Sequence, residues 1–481
     1  MLKRLVPAVL ALSAISEGAR FASVLVRTGD RPGSVESNAA RILSERLSQP
    51  AGLAVEVVHE SEAPRAPSGG LVVLLGTAGS HREIARLLES ERPFKDPEGF
   101  LLKTFARPEG PVLVAAGVDA HGVLYAVGEI LRRADVRSDA LEFPVPLEVR
   151  TAPAFEVRGT QYGQSGVAFQ KGKVRRWTLR EAQRKIEDYA LAGLNTLETG
   201  PSRPEDPMYR FIRSMGIKTL AHYYPNAGPG PPEWQAWESY GRRGYLCPSH
   251  PAAREALLKK CEDTFRESAP LDYVRFAGGD GGGCECDRCR PYGGTFIRLC
   301  EDMAKIIHRY HPRSQIFVTN QKFDNESDHA IFEYLREKPR TWLRAFCYGP
   351  GSDAMTWQPG HRQNHRMDLF RYPGFGPFDR YLKEILHQLP PQQDLVFFNE
   401  LTHSRGSQYG YVGLYPRADR NADLPPHWNH RIYERRMDQA LVMVYDRLTF
   451  FAWPRYYRWV FGETVRYGIG DVTHSSGTQD H

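Results

Sequence analysis

A chain of 481 residues exceeds one ordinary domain and calls for two or three. Its 41% hydrophobic and 25% charged residues are those of a globular protein and exclude disordered, collagen-like and coiled-coil classes. A net charge of +6 is small for this length, the basic residues are scattered and no aromatic-plus-basic motif is present, which excludes nucleic acid as a partner.

The chain opens Met1-Leu2-Lys3-Arg4 and runs from Leu5 to Ile15 with almost no polarity. A basic start before a short apolar stretch suits an export signal over residues 1–20, hence a secreted or periplasmic protein. Ser16-Glu17-Gly18 before Ala19 matches a small-x-small cleavage site only loosely, and a buried first helix of a cytoplasmic protein is the alternative. The stretch is too short to span a bilayer, and no later segment is long and apolar enough to do so.

Residues 21–150 read as a small α/β sandwich domain. Phe21 to Val26, Leu53 to Val58 and Leu71 to Leu75 predict strands, and Ser34 to Leu47 an amphipathic helix. Phe100 to Phe105 and Pro111 to Ala116 predict an antiparallel pair across Pro108-Glu109-Gly110, and His121 to Arg133 a closing helix. Phe143-Pro144-Val145-Pro146 through Thr151-Ala152-Pro153 forces extended backbone and reads as the linker.

Residues 151–481 then alternate strand and helix. Predicted strands are Val157 to Gln161, Asn195 to Thr199, Ile217 to Tyr224, Tyr273 to Ala277, Gln315 to Asn320, Trp342 to Tyr348, Leu395 to Leu401 and Thr464 to Gly468. Between the first two, Thr178 and Glu181 form a capping box, and Ala182, Ile186, Tyr189 and Ala190 share one helical face that ends at Gly193. Ala253, Leu257, Cys261 and Phe265 recur at one-turn spacing in a later helix; Thr295 to Tyr310 and Arg431 to Leu448 predict two more. The pattern predicts a (β/α)8 TIM-like barrel; the rival doubly wound sheet usually opens on a glycine-rich phosphate loop, which is missing. The chain stops at Asp480-His481, where an eighth helix is due, so the barrel reads as incomplete or the chain as a fragment of a longer protein.

Barrel chemistry belongs at the C-terminal ends of strands. The fourth strand runs into Gly278-Gly279-Asp280-Gly281-Gly282-Gly283, whose glycines let backbone pass close to a ligand. The seventh runs into Phe398-Asn399-Glu400-Leu401-Thr402-His403. Two carboxyls across a sugar are what glycosidic cleavage needs, one to protonate the departing oxygen and one to support positive charge at the sugar carbon. Asp280 and Glu400 are the candidate catalytic pair; a loop cap for Asp280 and an arginine partner for Glu400 are the structural alternatives. Tyr162, Glu198, His222, Tyr223, Asn320, Tyr348, Asn399, His403 and Trp453 are candidate substrate-positioning residues, with Glu198 as the reserve carboxylate. Aromatic residues, at 11%, crowd the second half, as in Phe450, Phe451, Trp453, Tyr456, Tyr457 and Trp459; core packing and sugar stacking both account for them.

The seven cysteines are odd in number and clustered, unlike a disulfide scaffold. Cys284, Cys286 and Cys289 have the closeness of ligands to a structural zinc, with Cys300 or His308 as the fourth; a disulfide or free thiols are the other readings. The cluster would pin the Asp280 loop without doing chemistry, and catalysis needs no cofactor.

Gly117-Val118-Asp119-Ala120-His121-Gly122-Val123-Leu124-Tyr125-Ala126-Val127 resembles the last helix of the small domain that precedes the barrel in bacterial β-hexosaminidases and α-glucuronidases. Pro153-Ala154-Phe155-Glu156-Val157-Arg158-Gly159 resembles the start of their barrels. Gly279-Asp280 followed by Cys284-Glu285-Cys286-Asp287-Arg288-Cys289 resembles a bacterial group that includes the endo-β-N-acetylglucosaminidases of glycoside hydrolase family 163. The resemblance implies hydrolysis of a complex or N-acetylated glycan; a carbohydrate-binding protein on a silent barrel is the alternative. β-Hexosaminidases carry an adjacent Asp-Glu pair after the fourth strand. Here Gly281 follows Asp280, so the second carboxyl of a substrate-assisted mechanism falls to Glu400 or Glu198.

Overall fold

The computed structural model describes residues 18–49, 52–62, 68–137, 139–161, 167–170, 173–237, 244–278, 283–320, 323, 325–348, 386–398, 458, 461–462 and 465–473. Two compact units divide chiefly between Pro153 and Ala154.

The first unit is built from β1 (Ala19–Phe21), β2 (Ser23–Thr28), α1 (Ser34–Ser48), β3 (Ala54–His59), β4 (Leu71–Thr77), α2 (Arg82–Leu88), β5 (Phe100–Phe105), β6 (Val112–Gly117), α3 (Ala120–Arg133), β7 (Asp135–Arg137), β8 (Ala140–Phe143) and β9 (Glu148–Thr151). Its main sheet has the order β3-β2-β4-β6-β5-β9, with a smaller sheet β1-β8-β7. The apolar runs of β4 and β6 lie side by side, parallel, and are buried along almost their whole length. Asp119 starts α3 by accepting from the His121 and Gly122 N–H groups at 3.0 and 3.1 Å. Part of the proline-spaced stretch that reads as a linker becomes β9, paired antiparallel with β5 from Phe100↔Thr151 to Lys103↔Glu148. The extended backbone that the flanking prolines impose is also what a sheet edge accepts.

The second unit follows as β10 (Val157–Gln161), the hairpin β11 (Val167–Gln170) and β12 (Lys173–Arg176), α4 (Leu179–Leu191), β13 (Thr196–Glu198), α5 (Pro207–Ser214), β14 (Lys218–Tyr223), α6 (Pro251–Glu267), β15 (Tyr273–Ala277), α7 (Tyr292–Tyr310), β16 (Gln315–Thr319), α8 (Asn325–Glu337), β17 (Ala345–Tyr348), β18 (Asp394–Phe397) and β19 (Gly470–Thr473). Strands β10 and β13 through β19 close into the expected eight-stranded parallel barrel. β19 returns to β10 in register Val157↔Gly470 through Thr160↔Thr473. The capping box of α4 is present, with Thr178 N–H donating to Glu181 at 2.8 Å and Glu181 N–H to Thr178 Oγ1 at 3.3 Å.

The eighth strand is displaced from the expected Thr464 to Gly468: residues 465–467 are helical and β19 begins at Gly470. Pairing on both edges sets this register. A Cβ at Gly470 would lie 2.1 Å from the Val157 carbonyl oxygen, so glycine is what lets the last strand approach the first.

Strand alternation sorts the barrel into an interior and a strand–helix layer. Val157, Leu220, Tyr273, Phe317, Ala345, Cys347, Val396, Phe398 and Val472 fill the interior. Ala253, Leu257, Cys261 and Phe265 of α6 pack with Phe276, Phe346 and Phe397 in the outer layer. There α7 meets α8 so closely that a Cβ on Gly293 would sit 1.8 Å from the Ser327 carbonyl oxygen. Gly293→Ala is therefore expected to cost about 1–3 kcal/mol through overpacking. Chemical denaturation reads this; an unshifted midpoint would show that the two helices separate freely.

Candidate active site

Four polar side chains meet inside the barrel toward the C-terminal strand ends. Gln161 and Glu198 close β10 and β13 and face one another in register; His222 of β14 faces Arg275 of β15. Gln161, His222 and Arg275 lie four, two and two residues beyond the interior residues Val157, Leu220 and Tyr273, which puts them on the inward face, and Glu198 meets them there through its bonds to Gln161 and Arg275.

Glu198 is the hub. Its Oε2 accepts from Arg275 Nη2 at 2.5 Å, its Oε1 accepts from Gln161 Nε2 at 3.0 Å, and His222 Nδ1 lies 3.4 Å from Oε1. Arg275 Nη2 also lies 2.9 Å from His222 Nδ1. A guanidinium only donates, so this contact makes Nδ1 the acceptor and puts the proton of a neutral imidazole on Nε2. The Arg275 and Glu198 side chains are 1% and 5% exposed, so the pair is removed from water. On its other side the Arg275 guanidinium stacks over the Phe398 ring, 3.5 Å from the centroid. Cys347 also faces inward, and burial pushes its thiol up to about 12 although Arg275 pulls the other way. The arrangement is a fixed negative charge with neighbouring donors, suited to orienting hydroxyl or amide groups. A carboxylate bound to a guanidinium acts as an acceptor and is a poor proton donor.

Of the expected site residues, the structure brings Glu198 and His222 together. Tyr223 is a correction. It neighbours His222 in sequence but points the opposite way, its ring 5.3 Å from Phe265 and 6.2 Å from Phe276 in the strand–helix layer. Burial there drives its hydroxyl well above the ordinary tyrosine value. Asn320 follows β16, fully buried, and donates Nδ2 to Asp328 Oδ1 of α8 at 2.6 Å, which ties strand end to helix start. Tyr348 ends β17, and its side chain lies outside the described residues. Asp280, Glu400, Tyr162, Asn399, His403 and Trp453 lie outside the described residues as well.

Cys284, Cys286 and Cys289 do come together, and all seven cysteines are free. The fourth member is Cys247, and this corrects the choice of Cys300 or His308. Cys300 is buried in the α7 core, and His308 Nε2 lies 3.0 Å from the Ser314 carbonyl oxygen. Sequence reasoning also missed Arg275, Gln161 and Phe398. Arg275 left a usable signal: a lone charge in the apolar run of β15, in phase with Tyr273 and Ala277.

No protein-family model matches the chain, and no curated protein matches it. Solved structures similar to this one include a family 115 4-O-methyl-α-glucuronidase with specificity for decorated arabinogalactans, at TM-score 0.48 and 13% identity over 88% of this chain and 58% of that one. A family 20 β-N-acetylglucosaminidase is similar at TM-score 0.48 and 14% identity, over 96% of this chain and 84% of that one. A family 89 glycoside hydrolase from Clostridium perfringens is similar at TM-score 0.46 and 9% identity, over 83% of this chain and 46% of that one. All three are glycoside hydrolases. At these scores and identities the likeness says nothing of substrate or mechanism. Among the described residues no helix is long and apolar enough to cross a membrane.

Proposed function

We propose that the chain is a glycoside hydrolase that cleaves a complex or N-acetylated glycan, with Asp280 and Glu400 as the reacting carboxyls. The observation that carries this reading is the buried Glu198–Arg275–His222–Gln161 constellation inside the barrel toward its C-terminal strand ends. Interior positions of such a barrel are otherwise apolar packing, and polar groups gathered at that end belong to chemistry or binding. Glu198 is a positioning group in this reading because its oxygens are already engaged. The reacting pair then falls to Asp280, three residues past Ala277, and Glu400, three residues past Phe397. One protonates the departing glycosidic oxygen; the other supports or attacks the sugar carbon, or polarises a substrate acetamido group that attacks instead.

The resemblance around Gly279-Asp280 and Cys284–Cys289 makes complex N-glycans, the substrates of family 163 endo-β-N-acetylglucosaminidases, the first to try. A second reading, a sugar-binding protein on a silent barrel, is favoured by one fact: Glu198, a carboxylate inside the barrel, is tied to an arginine. A panel of aryl glycosides and N-glycans separates the two. Release of a reducing sugar or an aryl alcohol supports the hydrolase; saturable binding with no turnover on any member would establish the second reading.

A further inference from the structure

We propose that Cys247, Cys284, Cys286 and Cys289 form a closed, structural zinc site that ties the loop after the third barrel strand, β14, to the loop after the fourth, β15. Neither the site nor its test depends on the hydrolase reading. The four Sγ atoms lie within 4.8 Å of one another. Cys247 Sγ is 3.6 Å from Cys289 Sγ and 3.7 Å from Cys286 Sγ. A tetrahedral zinc with bonds of about 2.3 Å sets its sulfurs about 3.8 Å apart. A disulfide would need about 2.05 Å.

The backbone around the sulfurs is already arranged for a metal. Cys289 and Arg290 both donate N–H to the Cys286 carbonyl, at 2.8 and 3.2 Å, a turn that brings two sulfurs of a Cys-x-x-Cys segment to one side. The Cys247 loop is held by its own N–H on the Trp234 carbonyl at 2.7 Å, and Glu285 N–H reaches the Trp237 carbonyl at 2.5 Å. The Ser249 hydroxyl, two residues after Cys247, donates to the Arg288 carbonyl at 3.1 Å and lies 3.1 Å from Cys289 Sγ. Three of the sulfurs' residues are buried and Cys286 is half-buried, so the cluster is not a surface coincidence of thiols.

The donor set decides the class of metal and its role. Four soft sulfur donors select zinc over magnesium or calcium, which take oxygen. Four thiolates fill a tetrahedral shell and leave no position for water or substrate, so the metal holds structure and performs no hydrolysis. Its effect falls on the face of the barrel at the C-terminal strand ends, because both loops leave from there.

The test uses the full chain purified without added metal. Elemental analysis is expected to find about one zinc per chain. Replacing zinc by Co2+ should give the intense sulfur-to-cobalt charge-transfer absorption of a four-thiolate tetrahedral site. Cys247→Ser should lose the metal or bind it far more weakly, whereas Cys300→Ser should retain one equivalent. If Cys247→Ser does not fold, the cobalt spectrum of the unaltered chain still reads the number of thiolates. A metal-free chain that takes up neither Zn2+ nor Co2+ overturns the proposal. So does a disulfide among the four cysteines, or loss of metal in Cys300→Ser equal to that in Cys247→Ser.

Discussion

Asp280→Asn and Glu400→Gln are each expected to lower kcat/KM on a cleavable glycan by about 10²–10⁴-fold, the range for loss of a general acid or base. Both substitutions keep shape and remove only the proton or the charge, so the melting temperature should hold while turnover falls. The pattern of the loss separates mechanisms. In a retaining enzyme with a carboxylate nucleophile, the nucleophile variant is expected to be rescued by azide with a changed anomeric product; in an inverting enzyme the second carboxylate activates water instead. Carboxyl groups about 5 Å apart go with the first route and about 6.5–9.5 Å with the second. If the substrate's acetamido group attacks, a substrate lacking that group should be cleaved far more slowly by the parent protein than its N-acetyl counterpart. Variants at both positions that retain full activity would remove Asp280 and Glu400 from the chemistry, and Glu198 would become the carboxylate to test.

Glu198→Ala is expected to destabilise the barrel by about 3–5 kcal/mol, the cost of leaving a buried charge without its partner. Arg275 cannot shed its proton to escape the interior. Its side chain is 1% exposed, and among the described residues its Nε and Nη1 are buried with no nitrogen or oxygen partner. Stacking on Phe398 screens one face but supplies no negative charge. Glu198→Leu combined with Arg275→Met should recover most of the loss, because replacing both charges leaves neither one stranded. Chemical denaturation of the two single variants and the double one gives the coupling directly. A loss below about 1 kcal/mol in Glu198→Ala, the scale of an exposed pair, would show that the ion pair is solvated and does not organise the interior.

The features legible in the residues are those that backbone chemistry settles within a few positions. The Thr178–Glu181 capping box closes locally, and the Ala253, Leu257, Cys261 and Phe265 stripe marks one helix face whatever lies opposite. Strands recurring between such helices leave few topologies, so the barrel was readable without any contact being known. Glu198 and His222 were readable because one ends its strand and the other is the last residue but one of its strand.

Long-range register settled the remainder. Whether His222 or Tyr223 faces the barrel interior depends on the phase of β14, and a shift of one residue exchanges them. The barrel's closure, Val157 against Gly470, sets where the eighth strand begins, and no nearby residue encodes a partner so distant in the chain. Arg275 looks like a charge in a hydrophobic strand until Glu198 arrives beside it from β13. Cys247 carries no local mark at all. It joins Cys284, Cys286 and Cys289 because parallel pairing sets β14 next to β15, and adjacent strands bring their following loops to the same end of the barrel.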